Sequence, residues 1–185
     1  GYAMDPQVFY AVGLEVAKHC MSSAWVLGVV AVHNWQLAVF DDQAAQDVWS
    51  EDPTTLISSS YAPVGKVKVV DGGYRLSGRW SFSSGSGHCK WAFLGAVVPT
   101  PEAPFDMANY RTFLVPISDY DIVENWDVVG LQGTGSNDIV VDDVFVPEHR
   151  THKSIDGFEC DNPGNAVNTA PLYRMPFMQV FVRAV

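Results

Sequence analysis

The stretch Lys66-Val67-Lys68-Val69-Val70-Asp71-Gly72-Gly73-Tyr74-Arg75-Leu76 sets the structural character of the middle of the chain. Polar and apolar side chains alternate over its first four residues, which is the period of a half-buried strand. Asp71-Gly72-Gly73 supplies turn residues, and a second strand continues through Gly78-Arg79-Trp80-Ser81-Phe82. This stretch therefore predicts a β-hairpin.

Further strands are predicted on the C-terminal side of the hairpin, separated by Gly, Pro and Asp. Their ranges are Trp91 to Val98, Arg111 to Ile117, Tyr120 to Asp127 and Asn137 to Val146. Six or so strands at this spacing are typical of a small antiparallel barrel or sandwich. Helical patterns precede them over residues 6–51, and the chain turns apolar again from Ala170. The fold class is therefore α+β with segregated elements.

Composition excludes several classes of function. The chain has 185 residues, a formal net charge of -10 and six Trp. An acidic surface does not attract nucleic acid or an anionic membrane, so neither is expected as a partner. No apolar run is long enough for a membrane span, and no signal peptide is apparent. Three unpaired cysteines fit a reducing cytoplasm. Because the chain starts at Gly1 and stops in an apolar run, we expect both ends to be cut from a longer protein.

Four short blocks together resemble a known family. Gly130-Leu-Gln-Gly-Thr-Gly-Ser-Asn137, continuing to Pro147, is similar to the middle β-domain signature of the acyl-CoA dehydrogenase superfamily. The oxygenase branch is indicated by Val32-His33-Asn34-Trp35, Ser58-Ser59-Ser60-Tyr61-Ala62-Pro63 and Trp80-Ser81-Phe82-Ser83-Ser84-Gly85. This branch contains two-component, reduced-flavin-dependent aromatic monooxygenases, in particular 3-hydroxy-9,10-secoandrostatrienedione 4-hydroxylase and the oxygenase component of 4-hydroxyphenylacetate hydroxylase.

The resemblance implies an acyl-CoA dehydrogenase-like fold in three parts. Residues 1–52 would be the end of the N-terminal helical domain, 53–150 the middle antiparallel β-barrel domain, and 151–185 a linker and the start of the C-terminal helical domain. The C-terminal helical bundle would be mostly missing. The family's proteins are homotetramers whose flavin site is completed by that bundle and a neighbouring subunit, so these residues alone are expected to be inactive.

The resemblance also implies the reaction. A separate NAD(P)H flavin reductase would supply FMNH2, with FAD as the other possible flavin, and O2 would form a C4a-hydroperoxyflavin that hydroxylates a phenolic substrate, possibly steroid-derived. Two other functions stay open at this point. One is an acyl-CoA dehydrogenase with FAD and an electron-transfer partner, and the other is a noncatalytic β-barrel that binds an apolar ligand.

Site residues are carried over from the resemblance position by position. The catalytic residues would be His33 and Ser59 beside the substrate oxygen and Ser84 against flavin N5, with a His33 pKa near neutrality. The cofactor-binding residues would be Trp25, Ser59, Ser60, Tyr61, Phe82, Ser83 and Ser84. Simpler interpretations exist for each kind of residue: a core histidine satisfied by one carbonyl, turn serines bonding their own backbone, and aromatic side chains packed in a core.

No metal is expected. His88, His149 and His152 have no metal-ligand spacing with any Cys or carboxylate, and we interpret them as surface or loop residues. Asp142-Asp143, inside a predicted strand, indicates a solvated stretch or a bulge.

Overall fold

The computed structural model describes residues 5–184. Gly1 to Met4 at the start of the predicted N-terminal domain, and Val185 at the end of the predicted linker, therefore lie outside the described residues. The helices are α1 (Pro6–Ala17), α2 (Met21–Leu37), α3 (Asp42–Trp49), α4 (Ser154–Glu159) and α5 (Phe177–Ala184). The strands are β1 (Ile57–Val70), β2 (Gly73–Ser83), β3 (Trp91–Val97), β4 (Tyr110–Pro116), β5 (Asp121–Val123), β6 (Asn137–Pro147) and β7 (Thr151–Lys153).

The predicted α+β class and the hairpin are confirmed. β1 pairs with β2 in antiparallel register, Lys66 opposite Ser77 and Val70 opposite Gly73, around the predicted turn. Gly72 occupies that turn with a φ of 72°, a conformation that glycine adopts without steric cost. α2 is apolar on nearly every face from Ala24 onward, and most of its residues from Gly28 to Leu37 are buried.

The antiparallel barrel is wrong for the described residues, where the seven strands form an open mixed sheet in the order β5-β6-β2-β1-β3-β4-β7. β1 starts at Ile57, and its first residues pair in parallel with β3. The physical reason is a short connection. β2 ends beside the start of β1, and only residues 84–90 separate the end of β2 from β3. β3 therefore begins near the start of β1 and runs parallel to β1.

The interior of the sheet is filled. A register shift between Ser60 and Gly65 divides β1 into two halves. The first half pairs with β3 and the second half pairs with β2, and side chains from both parts of the sheet pack in one buried cluster. Trp80 is fully buried there, and its Nε1 donates a hydrogen bond of 2.8 Å to the Gly95 carbonyl. Phe113 and Ile139 pack in the same cluster. This dense apolar interior holds β1 in place beneath the helices.

The helices cover the outer face of the β1–β3–β4 region. Leu37 and Phe40, at the end of α2 and just after it, pack against Ile57, Phe93 and Leu114 in a second buried cluster. Since side chains alternate along a strand, Ile57 faces α2 while Ser58 faces the sheet interior. The start of β1 is thereby fixed against α2.

The C-terminal part of the described chain returns to α2. β7, at the beginning of the predicted linker, pairs with β4, and α5 packs against α2 through Val180. The Asn168 side chain donates a 2.9 Å hydrogen bond to the Ala38 carbonyl. A Cβ atom on Gly164 would lie 2.1 Å from the same carbonyl, so this close approach requires glycine. Across residues 5–184, none of the helices combines the length and apolarity that crossing a membrane requires.

Candidate functional site

The predicted site residues form two groups, each of which contains a predicted residue of α2. Trp25 belongs to one and His33 to the other. Eight residues of α-helix separate them, a rise of about 12 Å at 1.5 Å per residue. Each group also takes residues from the sheet. We call the first the serine cluster (Trp25, Ser84, Thr134, Ser136) and the second the histidine cluster (His33, Gln36, Ser59, Tyr61).

Hydrogen bonds between hydroxyl groups connect the serine cluster. Trp25 Nε1 donates to Ser84 Oγ at 3.0 Å. Ser84 Oγ lies 2.7 Å from Ser136 Oγ, which lies 2.7 Å from Thr134 Oγ1. Thr134 Oγ1 in turn donates to the Leu131 carbonyl at 2.9 Å. Four side chains and one carbonyl thus form a continuous line.

The glycines of the Gly130–Ser136 loop bring that line against α2. Gly85 has a φ of 72°, and its N–H donates to the Thr134 carbonyl at 2.8 Å. A Cβ atom on Gly85 would meet Val26 of α2 at 3.0 Å, and one on Gly133 would meet Ser22 at 3.1 Å. Small residues are needed where this loop, the end of β2 and α2 come together.

Phe82 projects outward at the end of β2 with a strained backbone. The pairing of β2 with β6 shifts between Trp80 and Ser83, and such a bulge re-aims a side chain. Phe82 has a φ of 66°, rare for a bulky residue, and is 68% exposed, with its ring edge-on to Trp126 at 5.8 Å. Ser83 is buried, and its hydroxyl has no hydrogen-bond partner among residues 5–184.

His33 is fully buried between α2 and β1. Its Nδ1 lies 2.6 Å from the Ile57 carbonyl, and because a carbonyl only accepts, Nδ1 carries the proton of the neutral ring. Nε2 then has a lone pair, and within the described part of the chain no donor reaches it. Burial lowers the pKa of His33 to about 4. The expected pKa near neutrality is wrong, and His33 is a neutral acceptor at pH 7.

Tyr61 of β1 lies beside His33, and Ser59 of β1 lies close to Tyr61. The Tyr61 hydroxyl donates to Gln36 Oε1, and the ring is 6.3 Å from that of His33 in an edge-on arrangement. Burial raises the pKa of Tyr61, and the nearby Ser59 hydroxyl and the hydrogen bond to Gln36 act in the opposite direction. The ring of Tyr61 also packs edge-on against that of Phe181 in α5, with 5.4 Å between the ring centres. α5 therefore closes one side of the histidine cluster.

The structure divides the predicted site residues. Trp25 contacts Ser84 directly, and His33 lies beside Tyr61, which has Ser59 close by. Ser60 is turned away from both clusters, because its hydroxyl donates to the Ser81 carbonyl at 2.7 Å and ties β1 to β2. Sequence reasoning missed Gln36, Thr134 and Ser136. The last two lie inside the glycine-containing motif that was recognised, but a motif gives no side-chain direction.

Several known proteins are similar to this chain in sequence. The chain is 48% identical over 177 residues to the flavin-dependent monooxygenase oxygenase subunit HsaA of Rhodococcus jostii, covering 96% of the chain and 46% of that protein. It is 40% identical to the oxygenase component of FADH(2)-dependent resorcinol hydroxylase of a Rhizobium species, covering 89% of the chain and 40% of that protein. The p-hydroxyphenylacetate 3-hydroxylase oxygenase component of Acinetobacter baumannii is 34% identical, over 82% of the chain and 35% of that protein.

Solved structures with a similar fold belong to the same group of proteins. The crystal structure of 3-HSA hydroxylase from Rhodococcus sp. RHA1 matches with a TM-score of 0.92 at 47% identity, over 97% of the chain and 46% of that structure. The chain is similar to part of the oxygenase subunits of flavin-dependent monooxygenases. It spans less than half the length of the relatives it matches. No protein-family model matches it.

Similarity to these oxygenase subunits bears on the two alternative functions. The named relatives are monooxygenases and hydroxylases, which favours oxygenase chemistry over acyl-CoA dehydrogenation. The interior of the sheet is packed with Trp80, Phe113 and Tyr120, which disfavours a β-barrel that encloses an apolar ligand. A cavity of about 910 Å³ does lie between α1 and α2, lined by Tyr10, Asn34 and Trp35. Trp35 is about 200° around the helix from His33, so this cavity faces away from the histidine cluster.

Proposed function

We propose that this chain is part of the oxygenase component of a two-component monooxygenase that hydroxylates a phenolic ring. The relatives' names include a resorcinol hydroxylase and a p-hydroxyphenylacetate hydroxylase, both of which act on phenols. A separate NAD(P)H flavin reductase would deliver the reduced flavin. We further propose a homotetramer that acts in the cytoplasm.

The observation that carries the proposal is the serine cluster beside two partly exposed aromatic rings. Trp25 is 36% exposed and Phe82 is 68% exposed. Ser84 accepts a hydrogen bond from Trp25 and follows Phe82 by two residues in the chain. A flavin ring system needs flat apolar surfaces together with a few fixed polar groups. The strained backbone of Phe82 points the same way, because strain of this kind is often kept at a ligand site.

These residues fit a reduced flavin. Trp25 and Phe82 would contact the ring system, and Ser84 and Ser83 would meet its polar edge, with Ser59 and Tyr61 as further members of the proposed binding set. Ser60 donates its hydroxyl proton to the Ser81 carbonyl, so its proposed contact with the flavin would be through the backbone. Bound reduced flavin would supply the electrons that activate O2. We propose FMN, with FAD as the alternative because the resorcinol hydroxylase is named as FADH(2)-dependent.

The histidine cluster is suited to hold the phenol. A phenol O–H donates a hydrogen bond, and the free Nε2 lone pair of neutral His33 accepts one. Drawing the phenolic proton toward His33 increases electron density in the ring, which favours attack by an electrophilic oxygen. Ser59, close to Tyr61 in the same cluster, is the second group proposed to contact the substrate oxygen.

The test is a single-turnover reaction of the intact protein. The protein is loaded anaerobically with reduced FMN and mixed with O2, with and without phenols such as resorcinol and p-hydroxyphenylacetate. We expect hydroxylated product only when a phenol is present, and H2O2 in its absence. A protein that binds no reduced flavin, or that reduces FAD with an acyl-CoA instead, would contradict the proposal.

A further inference from the structure

The line of hydroxyl groups in the serine cluster has a fixed donor at one end and a fixed acceptor at the other. The Trp25 indole N–H can only donate, and the Leu131 carbonyl can only accept. Between them lie Ser84, Ser136 and Thr134, each with one proton. Every contact in the line is between 2.7 and 3.0 Å.

Only one direction gives every contact a proton. Thr134 uses its proton on the Leu131 carbonyl, so Ser136 must donate to Thr134, and Ser84 must donate to Ser136. In the reverse direction, the oxygens of Thr134 and Leu131 would face each other at 2.9 Å with no proton between them. Such an arrangement places lone pair against lone pair and loses a part-buried hydrogen bond.

The consequence falls on Ser84. A hydroxyl has one proton and two acceptor lone pairs. Ser84 donates its proton to Ser136 and accepts a hydrogen bond from Trp25. One lone pair of the Ser84 oxygen therefore remains for a ligand, and Ser84 has no proton left to donate to it. Ser84 is 5% exposed, and so water is a poor competitor for that position.

We infer that Ser136 and Thr134 are positioning residues that hold Ser84 as a hydrogen-bond acceptor and thereby make the site prefer reduced over oxidised flavin. The inference rests on the proposed function, in which Ser84 meets flavin N5. That atom carries an N–H in the reduced ring, which suits an acceptor, and a lone pair in the oxidised ring, which does not.

The measurement is the affinity of the intact protein for each redox state of FMN, with the midpoint potential of the bound flavin as a second readout. The ratio of the oxidised to the reduced Kd is compared between wild type and Ser136→Ala. Without Ser136 the Ser84 proton is free to turn toward oxidised N5. We expect the ratio to fall about tenfold, which lowers the midpoint potential of the bound flavin by about 30 mV for two electrons.

Three further variants make the test specific. Thr134→Val removes the acceptor that fixes Ser136 and should lower the ratio in the same direction, which also covers a Ser136→Ala protein that fails to fold. Ser136→Thr keeps the hydroxyl and should restore the wild-type ratio within about twofold. Ser86→Ala is the matched control, because Ser86 is also a buried serine near the end of β2 but its hydroxyl has no hydrogen-bond partner among the residues described.

The possible results separate this inference from the proposed function. A wild-type protein that binds neither the oxidised nor the reduced form of FMN or of FAD contradicts the proposed function and this inference with it. A wild-type protein that prefers reduced FMN, with unchanged ratios in Ser136→Ala and Thr134→Val, overturns the role of the two positioning residues and leaves the oxygenase function standing.

Discussion

His33 and Ile57 join α2 to β1 through a hydrogen bond of 2.6 Å between the imidazole Nδ1 and the backbone carbonyl. The bond fixes which ring nitrogen carries the proton, and it leaves Nε2 as an acceptor in a buried site. A single contact therefore sets both the position of the ring and its chemical role.

Replacing His33 by Ala should separate binding from catalysis. If Nε2 accepts a hydrogen bond from the substrate hydroxyl, the variant should bind reduced FMN normally but form hydroxylated product at least about tenfold more slowly. Flavin titration and single-turnover product formation measure the two effects. Phe93→Leu, which alters a ring 5.5 Å from His33, is the packing control. If flavin binding collapses in His33→Ala, His33 has a structural role.

Stability should depend on pH through the same histidine. The pKa of His33 is lowered from 6.5 to about 4 in the folded protein, so the unfolded state binds more protons between these values. The stabilisation is present above pH 6.5 and is lost as pH falls toward 4. We expect the free energy of unfolding to drop by about 2 kcal/mol between pH 7 and pH 5 from this group.

Urea unfolding at several pH values measures that slope. His33→Gln should flatten the curve over the same range. Burial also lowers the pKa of His152, so some dependence should persist in the variant. An equally steep curve in His33→Gln would assign the effect to His152 or to other groups.

Removing the Ser84 hydroxyl should waste reduced flavin. If Ser84 meets flavin N5 as proposed, Ser84→Ala leaves no group on this side chain to retain the proton at N5, and we expect H2O2 per reduced flavin to rise several-fold while product falls. Hydrogen bonds of this kind contribute about 1 kcal/mol, or a factor of about five. H2O2 and product are measured in the same reaction, with Ser86→Ala as control. Unchanged coupling would remove the proposed role of Ser84.

Phe82 should show a conflict between stability and binding. A bulky residue at positive φ costs about 1–3 kcal/mol, and glycine removes that strain. Because the side chain is exposed, Phe82→Gly loses little burial, and we expect a gain of about 1 kcal/mol in unfolding free energy. The same variant should bind reduced FMN several-fold more weakly. A less stable variant with full flavin affinity would show that the ring serves packing.

Asp47 should stabilise the contact between α3 and the sheet. Its Oδ2 accepts from Arg150 Nε at 2.6 Å and contacts His149 Nε2 at 2.8 Å, and the Arg150 guanidinium lies 5.0 Å from the centre of the Trp91 ring. Asp47→Ala should lower the free energy of unfolding by about 1–3 kcal/mol, since the partly buried Arg150 guanidinium is left unpaired. Urea unfolding is the measurement. The control is Asp42→Ala on the same helix, which loses an exposed hydrogen bond from Gln46.

Period-two alternation and turn residues were sufficient to predict the hairpin and the position of most later strands. The interpretation of Asp142-Asp143 as a bulge is also confirmed, since Asp143 has a φ of 49° and pairing with β2 shifts beside it. These features are local, and the residues that cause them lie next to each other in the chain.

Features that depend on distant contacts were missed. The first half of β1 carries three consecutive serines rather than an alternating pattern, so its parallel pairing with β3 could not be read from it. His152 was interpreted as a surface or loop residue. It is buried, stacked on Phe40 at 5.0 Å and bonded to Asn162, which the chain brings close only after folding.

The placement of Trp25 and His33 on one uninterrupted helix constrains how the family can vary. A single inserted residue between them would rotate His33 by about 100° relative to Trp25 and move it about 1.5 Å along the helix. The imidazole would then leave the Ile57 carbonyl while the indole stayed with Ser84. Related oxygenases should therefore tolerate substitutions in this part of α2 far better than insertions or deletions.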